Sequence, residues 1–164
     1  MSDSHRDLLH YIPLLTTTGT IMFTLCEDLY LRPFTQLPHS ARPTLNEILP
    51  RYIGRWFPSG FGVILVLYPL TWMTVVANLS RKRGLQQPKA AWRWNAAGLF
   101  FSVMHMWWGR RAKALLDDIR AGRSQPDYED SVAVLAAWLR LNIRRGLLAD
   151  LPAWMSFLVG AICR

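Results

Sequence analysis

Three sets of residues in this chain have types and spacings that could do chemistry. His105 stands in the apolar and aromatic run 92–108, and imidazole, which titrates near neutral pH, is well suited to take and return a proton there. It belongs to a stripe of Asn95, Gly98, Ser102, His105 and Gly109, whose steps of three, four, three and four put all five on one helical face. A lipid-facing helix has no use for such a stripe; a helix lining a polar cavity does. Trp138, Asn142 and Arg145 also share a face, at i, i+4 and i+7. An aromatic plate, an amide and a guanidinium would cradle a flat phenolic or enolic molecule, with Arg145 holding an oxyanion. The third set is acidic: Glu27 and Asp28 close one apolar run and Asp150 lies inside another.

Apolar surroundings favour the protonated form of a carboxyl group, which suits protonation of an epoxide or ether oxygen. Glu27 or Asp28 with Asp150 could thus act as general acid and water-activating base, making the protein an epoxide hydrolase or a cyclase. Each set also has a plainer explanation. A lone histidine on an apolar helix is often a hydrogen-bonded core residue, and an arginine near a membrane edge can reach for headgroups. Headgroup contact is the expected role of Arg140 and Arg144, which lie on another face from Arg145. Asp150, five residues beyond Arg145, is not stacked beneath it on an ideal helix, although Pro152 could distort that geometry.

These residues need elements to position them. Of the 164 residues 51% are hydrophobic and only 18% charged, and eight are tryptophan, which is not an ordinary soluble composition. Four apolar runs, 14–31, 61–79, 91–108 and 146–162, each have about the length of a membrane-crossing helix. The basic residues behind the net charge of +8 cluster at run ends, as in Arg81–Arg83 and Arg110–Lys113. There they meet headgroups, which argues against nucleic acid as a partner. Every loop is basic, so charge does not orient the chain. Cys26 and Cys163 stand alone and support neither a disulfide framework nor a zinc site. The polar N-terminus lacks a signal-peptide pattern, so the first run is expected to remain as an anchor.

The expected fold is all-α: one integral membrane domain over 1–164, a four-transmembrane-helix bundle. Helix one runs from Tyr11 to about Leu31 and stops at Arg32-Pro33, with Thr16, Thr20, Thr24 and Glu27 on one face. A proline-marked connection, 32–58, follows as a lid or rim, holding at most a short interfacial helix over 46–56. Helix two covers 59–79 with Tyr68, Thr71, Val75 and Asn78 on one face. Helix three starts near Lys89 and continues, charged, to Ala121; helix four opens on Asp127, Glu129 and Asp130. Helices three and four would extend beyond the bilayer as a hairpin. Glu27, Asp28, Tyr68, His105, Trp138, Asn142 and Arg145 would then lie in one half of the bundle, with Tyr68 and Ser102 among the substrate-contacting residues.

The order of four helices, the helix-three ending Phe101-Ser-Val-Met-His-Met-Trp-Trp108 and the pattern Trp138-x3-Asn142-x2-Arg145 resemble the anthrone-oxygenase-like family. The likeness covers most of the chain in layout and is sharpest in its last third. It implies a small integral membrane protein of fungal natural-product pathways, in the endoplasmic reticulum, acting on a lipophilic polyketide or related substrate. It also implies oxygenation with no cofactor. His105 would deprotonate a weakly acidic carbon, and Asn142 and Arg145 would stabilise the enolate that reacts with dioxygen. Three expectations therefore stand side by side: oxygenase, epoxide hydrolase or cyclase, and a non-catalytic carrier or scaffold whose basic 109–145 segment docks soluble enzymes. The expected partners are a hydrophobic small molecule and membrane lipid, with homo-oligomerisation left open.

Overall fold

The computed structural model describes residues 3–80, 88–122 and 130–163, and every regular element among them is helical. There are four helical stretches. Helix α1 (Asp3–Gln36) leads through a 3-10 turn, His39–Ala41, into α2 (Arg42–Ser80). Helix α3 (Lys89–Met104) tightens into a 3-10 turn, His105–Trp108, and continues as α4 (Gly109–Ala121). Helix α5 (Ser131–Arg145) widens into a π turn, Gly146–Asp150, and continues as α6 (Leu151–Ile162). Three stretches, Leu8–Gln36, His39–Ser80 and Ser131–Ile162, are long and apolar enough to cross a membrane. The fourth expected crossing, over 91–108, is not among them.

Apart from Leu37 and Pro38 the proline-rich segment 32–58 is helical, and the short helix expected over 46–56 is part of a much longer one. Helix α1 runs through Pro33 to Gln36, and α2 runs through Pro43, Pro50, Pro58 and Pro69. Each proline deletes one N–H from the ladder. The helix survives because Leu45, Leu49, Ile53 and Trp56 form one apolar stripe, and the first three are buried. That burial, about 1.5–3 kcal/mol per side chain, outweighs the lost hydrogen bonds of about 0.5–1.5 kcal/mol each.

The chain divides into two compact units. The first holds the chain up to Met22, Ile64–Trp107 and the chain from Gly146 onward. There α3 packs on α6 around Val75, Ala153 and Phe157. Thr16 and Thr71 share a hydrogen bond of 2.6 Å between α1 and α2, and Asn78 Nδ2 donates to the Leu9 carbonyl. A Cβ built on Gly98 would stand 2.5 Å from the Phe157 ring, and one on Gly160 would stand 3.3 Å from the Asn95 amide. Replacing Gly98 by alanine is therefore expected to cost about 1–3 kcal/mol. Thermal unfolding of the protein in detergent reads this; an unchanged midpoint would contradict it.

The second unit holds Phe23–Val63 and Trp108–Arg145. Here α4 packs on α5, and Leu31, Leu49, Ile53, Ile119, Val134 and Leu135 are fully enclosed. Gly122 ends α4 at φ +60°, a conformation that glycine adopts without steric cost. Asp130 caps α5, its Oδ1 accepting from the Ala133 N–H at 2.8 Å, and pairs with Arg42. The acids Asp127 and Glu129 and the turn over 81–87 lie outside the described residues.

Candidate functional site

In the first unit three helical stretches bring Tyr68, His105 and Asp150 together. Tyr68 comes from the buried face of α2, together with Thr71, Val75 and Asn78. His105 opens the 3-10 turn at the end of the stripe on α3, where Asn95, Gly98 and Ser102 are also buried. Asp150 closes the π turn. Pro152 has no N–H for the carbonyl four residues back, and a widened turn is how a helix absorbs that loss; such bulges are frequent at functional sites.

The three polar groups form a tight triangle. Tyr68 Oη lies 2.5 Å from His105 Nδ1 and donates to Asp150 Oδ1 at 2.7 Å, and His105 Nδ1 lies 2.7 Å from the same Oδ1. All three side chains are buried, at 2–3% exposure, and the Tyr68 and His105 rings pack at 4.2 Å between centroids. With Asp150 as the acceptor, Tyr68 O–H and His105 Nδ1–H would both donate to Oδ1, the second proton being shared with Tyr68 Oη. His105 Nε2 is then the acceptor nitrogen of the ring, and Asp150 holds the tautomer, as the carboxylate does in serine-hydrolase triads. Among the described residues Asp150 Oδ2, also buried, has no hydrogen-bond partner.

Ser102 supports this cluster. Trp72, one turn beyond Tyr68, donates its Nε1–H to Ser102 Oγ at 2.9 Å, and its ring lies 6.0 Å from that of Tyr68. Two polar rungs thus join α2 to α3. Trp72 was not singled out from the sequence, although its i+4 spacing from Tyr68 was a usable signal. Trp72→Phe would leave the Ser102 hydroxyl, 1% exposed, without its donor. It should lower stability by about 0.5–1.5 kcal/mol in thermal unfolding; no loss would show the rung to be dispensable.

The other predicted residues stand in the second unit. Asn142 Nδ2 donates to Glu27 Oε2 at 3.0 Å, Arg145 Nη2 donates to Asn142 Oδ1, and Nη2 lies 3.7 Å from Glu27 Oε2. All three are buried. Trp138 sits inside the apolar cluster, edge-on to Trp56. Asp28 is only half-buried and is gripped by Arg32 one turn on, the kind of pair that contributes little. Arg140 and Arg144 are exposed, as expected. The acids foreseen as one pair have different partners: Glu27 bonds Asn142, and Asp150 bonds Tyr68 and His105.

No family model matches the chain, and no solved structure matches it. Curated relatives do. The chain is 30% identical to the probable epoxidase scpX of Mollisia scopiformis over 94% of both chains. It is 32% identical to the epoxidase pydX of an Acremonium species, covering 94% of this chain and 93% of the relative. It is 31% identical to the epoxidase gkaX of Penicillium citrinum over the same shares. The chain belongs to the family of these fungal proteins. Their names support the resemblance in its broader part, a family of small fungal enzymes, and add nothing for anthrone oxygenation in particular.

Proposed function

We propose that the protein is a membrane-embedded tailoring enzyme that forms an epoxide on a lipophilic natural-product intermediate, with Tyr68, His105 and Asp150 as its acid–base centre. The buried triangle of these residues carries the proposal, and the epoxidase names of the relatives supply the reaction class. His105 Nε2 takes a proton from an enolic, phenolic or similarly acidic position. Asp150 stabilises the imidazolium, and the Tyr68 hydroxyl steadies Asp150. The electron-rich anion reacts with dioxygen, and the resulting peroxide closes on the adjacent double bond. With a hydroquinone-like substrate the balance is complete: the substrate loses two hydrogens and gains one oxygen atom, and the other oxygen leaves as water. Both electrons for that water come from the substrate, so the scheme requires no added cofactor.

The proposed setting is a four-helix bundle in the endoplasmic reticulum membrane, with α3 as the fourth crossing. Exposed apolar side chains such as Leu15, Val66, Met73, Phe100, Trp107 and Leu148 supply lipid-facing surface. At 34 and 39 residues, α1 and α2 exceed a crossing length. They would therefore extend past the bilayer, as would the α4–α5 segment.

A second scheme, epoxide opening, is favoured by one observation: Asp150 Oδ2 is buried and, among the described residues, has no hydrogen-bond partner, as suits an oxygen that attacks carbon or activates water. Isotope labelling of turnover by the purified protein in detergent decides. The expected result is oxygen-18 in the product from labelled dioxygen, none from labelled water, and no reaction without oxygen. Label from water in an oxygen-independent reaction would overturn the epoxidase scheme in favour of hydrolysis. Turnover itself distinguishes both from a carrier or scaffold.

A further inference from the structure

The second unit contains a polar cluster that the acid–base scheme does not use. Arg145 is 5% exposed, Asn142 2% and Glu27 5%. Arg145 Nη2 is committed to Asn142 Oδ1 and faces Glu27, but among the described residues the buried Arg145 Nε has no hydrogen-bond partner. A buried donor left unmade costs about 1–3 kcal/mol. An acceptor oxygen delivered to Nε would recover that cost.

The charges say what kind of oxygen it is. The oxyanion foreseen as the partner of Arg145 meets a carboxylate that the chain itself supplies: Glu27 Oε2, 3.7 Å from Nη2 and tied to the same arginine through Asn142. Guanidinium and carboxylate together are neutral. A second anion at Arg145 would be set against the Glu27 carboxylate, which is unfavourable, whereas a neutral carbonyl adds a hydrogen bond and no charge. Asn142 also keeps Glu27 and Arg145 from closing into a bidentate pair, which would occupy Nε.

We infer that Glu27, Asn142 and Arg145 form a binding site for a neutral carbonyl oxygen, received by Arg145 Nε–H. The site does not depend on the acid–base reading of Tyr68, His105 and Asp150. Its carbonyl could belong to a lipophilic ketone or to the ester of a membrane lipid.

Nuclear magnetic resonance of the intact protein labelled with nitrogen-15 arginine reads the site directly, with the Arg145 Nε–H signal assigned from Arg145→Lys or, if that variant does not fold, from its displacement in Asn142→Ala. In dodecyl maltoside micelles, which contain no carbonyl, 2-acetylnaphthalene should move this signal downfield saturably and 2-ethylnaphthalene should not. A shift already present in nanodiscs of ester-linked phosphatidylcholine, and absent with ether-linked chains, would support the site and identify lipid as the source; a shift on adding the ketone alone would identify a soluble ligand. A response to neither ketone nor ester, or to 2-naphthoate only, would overturn the proposal. So would an Nε–H that exchanges with water and ignores the ketone, since water would then be its partner.

Discussion

His105→Ala should slow turnover by about 10²–10⁴-fold, the usual contribution of a positioned general base, while substrate affinity changes little. Asp150→Asn should fall in the same range. An amide can still offer its Oδ1 to Tyr68 O–H and His105 Nδ1–H, but it carries no charge to stabilise the imidazolium that forms. Tyr68→Phe should cost less, because Asp150 would still hold His105. Single-turnover rates measured on folded protein, with bound substrate quantified separately, test this ranking. If His105→Ala turns over like the wild type once the folded fraction is matched, His105 is a hydrogen-bonded core residue and the triangle is structural.

The largest expected effect on stability lies in the second unit. Glu27→Leu would strand the Arg145 guanidinium at 5% exposure with no carboxylate opposite it, a loss of about 3–5 kcal/mol. Arg145→Met would remove the guanidinium that faces the buried Glu27 carboxylate and should also destabilise the protein. Glu27→Leu combined with Arg145→Met removes both desolvation penalties and should recover most of the stability, because a buried ion pair replaced by apolar groups is often neutral. Thermal unfolding of the three variants in one detergent completes the cycle. Single variants that lose less than about 1 kcal/mol would show the pair to be as weakly coupled as one at a surface.

Which faces turn inward was legible from spacing. Asn95, Gly98, Ser102 and His105 are all buried, as are Tyr68, Thr71, Val75 and Asn78, and Asn142 with Arg145. Periodicity reports a face because buried side chains repeat with the helix turn. What lies across from a face was not legible. Tyr68 meets Asp150 across 82 positions and Asn142 meets Glu27 across 115, and no local pattern encodes such partners. In the stretch 42–58 the helix over 46–56 was foreseen, but its continuation through the prolines into one long helix was not. Its prolines were weighed as helix breakers in water, while the stripe Leu45, Leu49, Ile53 and Trp56 ran through them with enough apolar surface to hold the helix.

The close fit of Gly98 to Phe157 works as a gauge. Three residues before Gly98 and three after Phe157 stand Asn95 and Gly160, again in contact; seven after Gly98 and seven before Phe157 stand His105 and Asp150, 2.7 Å apart. Equal and opposite steps mean that α3 and α6 run antiparallel in one register, with each helix offering a glycine to the other's bulky side chain. A slip of one turn would shift Asp150 by about 5.4 Å, well beyond hydrogen-bond reach of the imidazole. The spacing of imidazole and carboxylate is therefore calibrated two turns away, by a phenyl ring with no chemistry of its own.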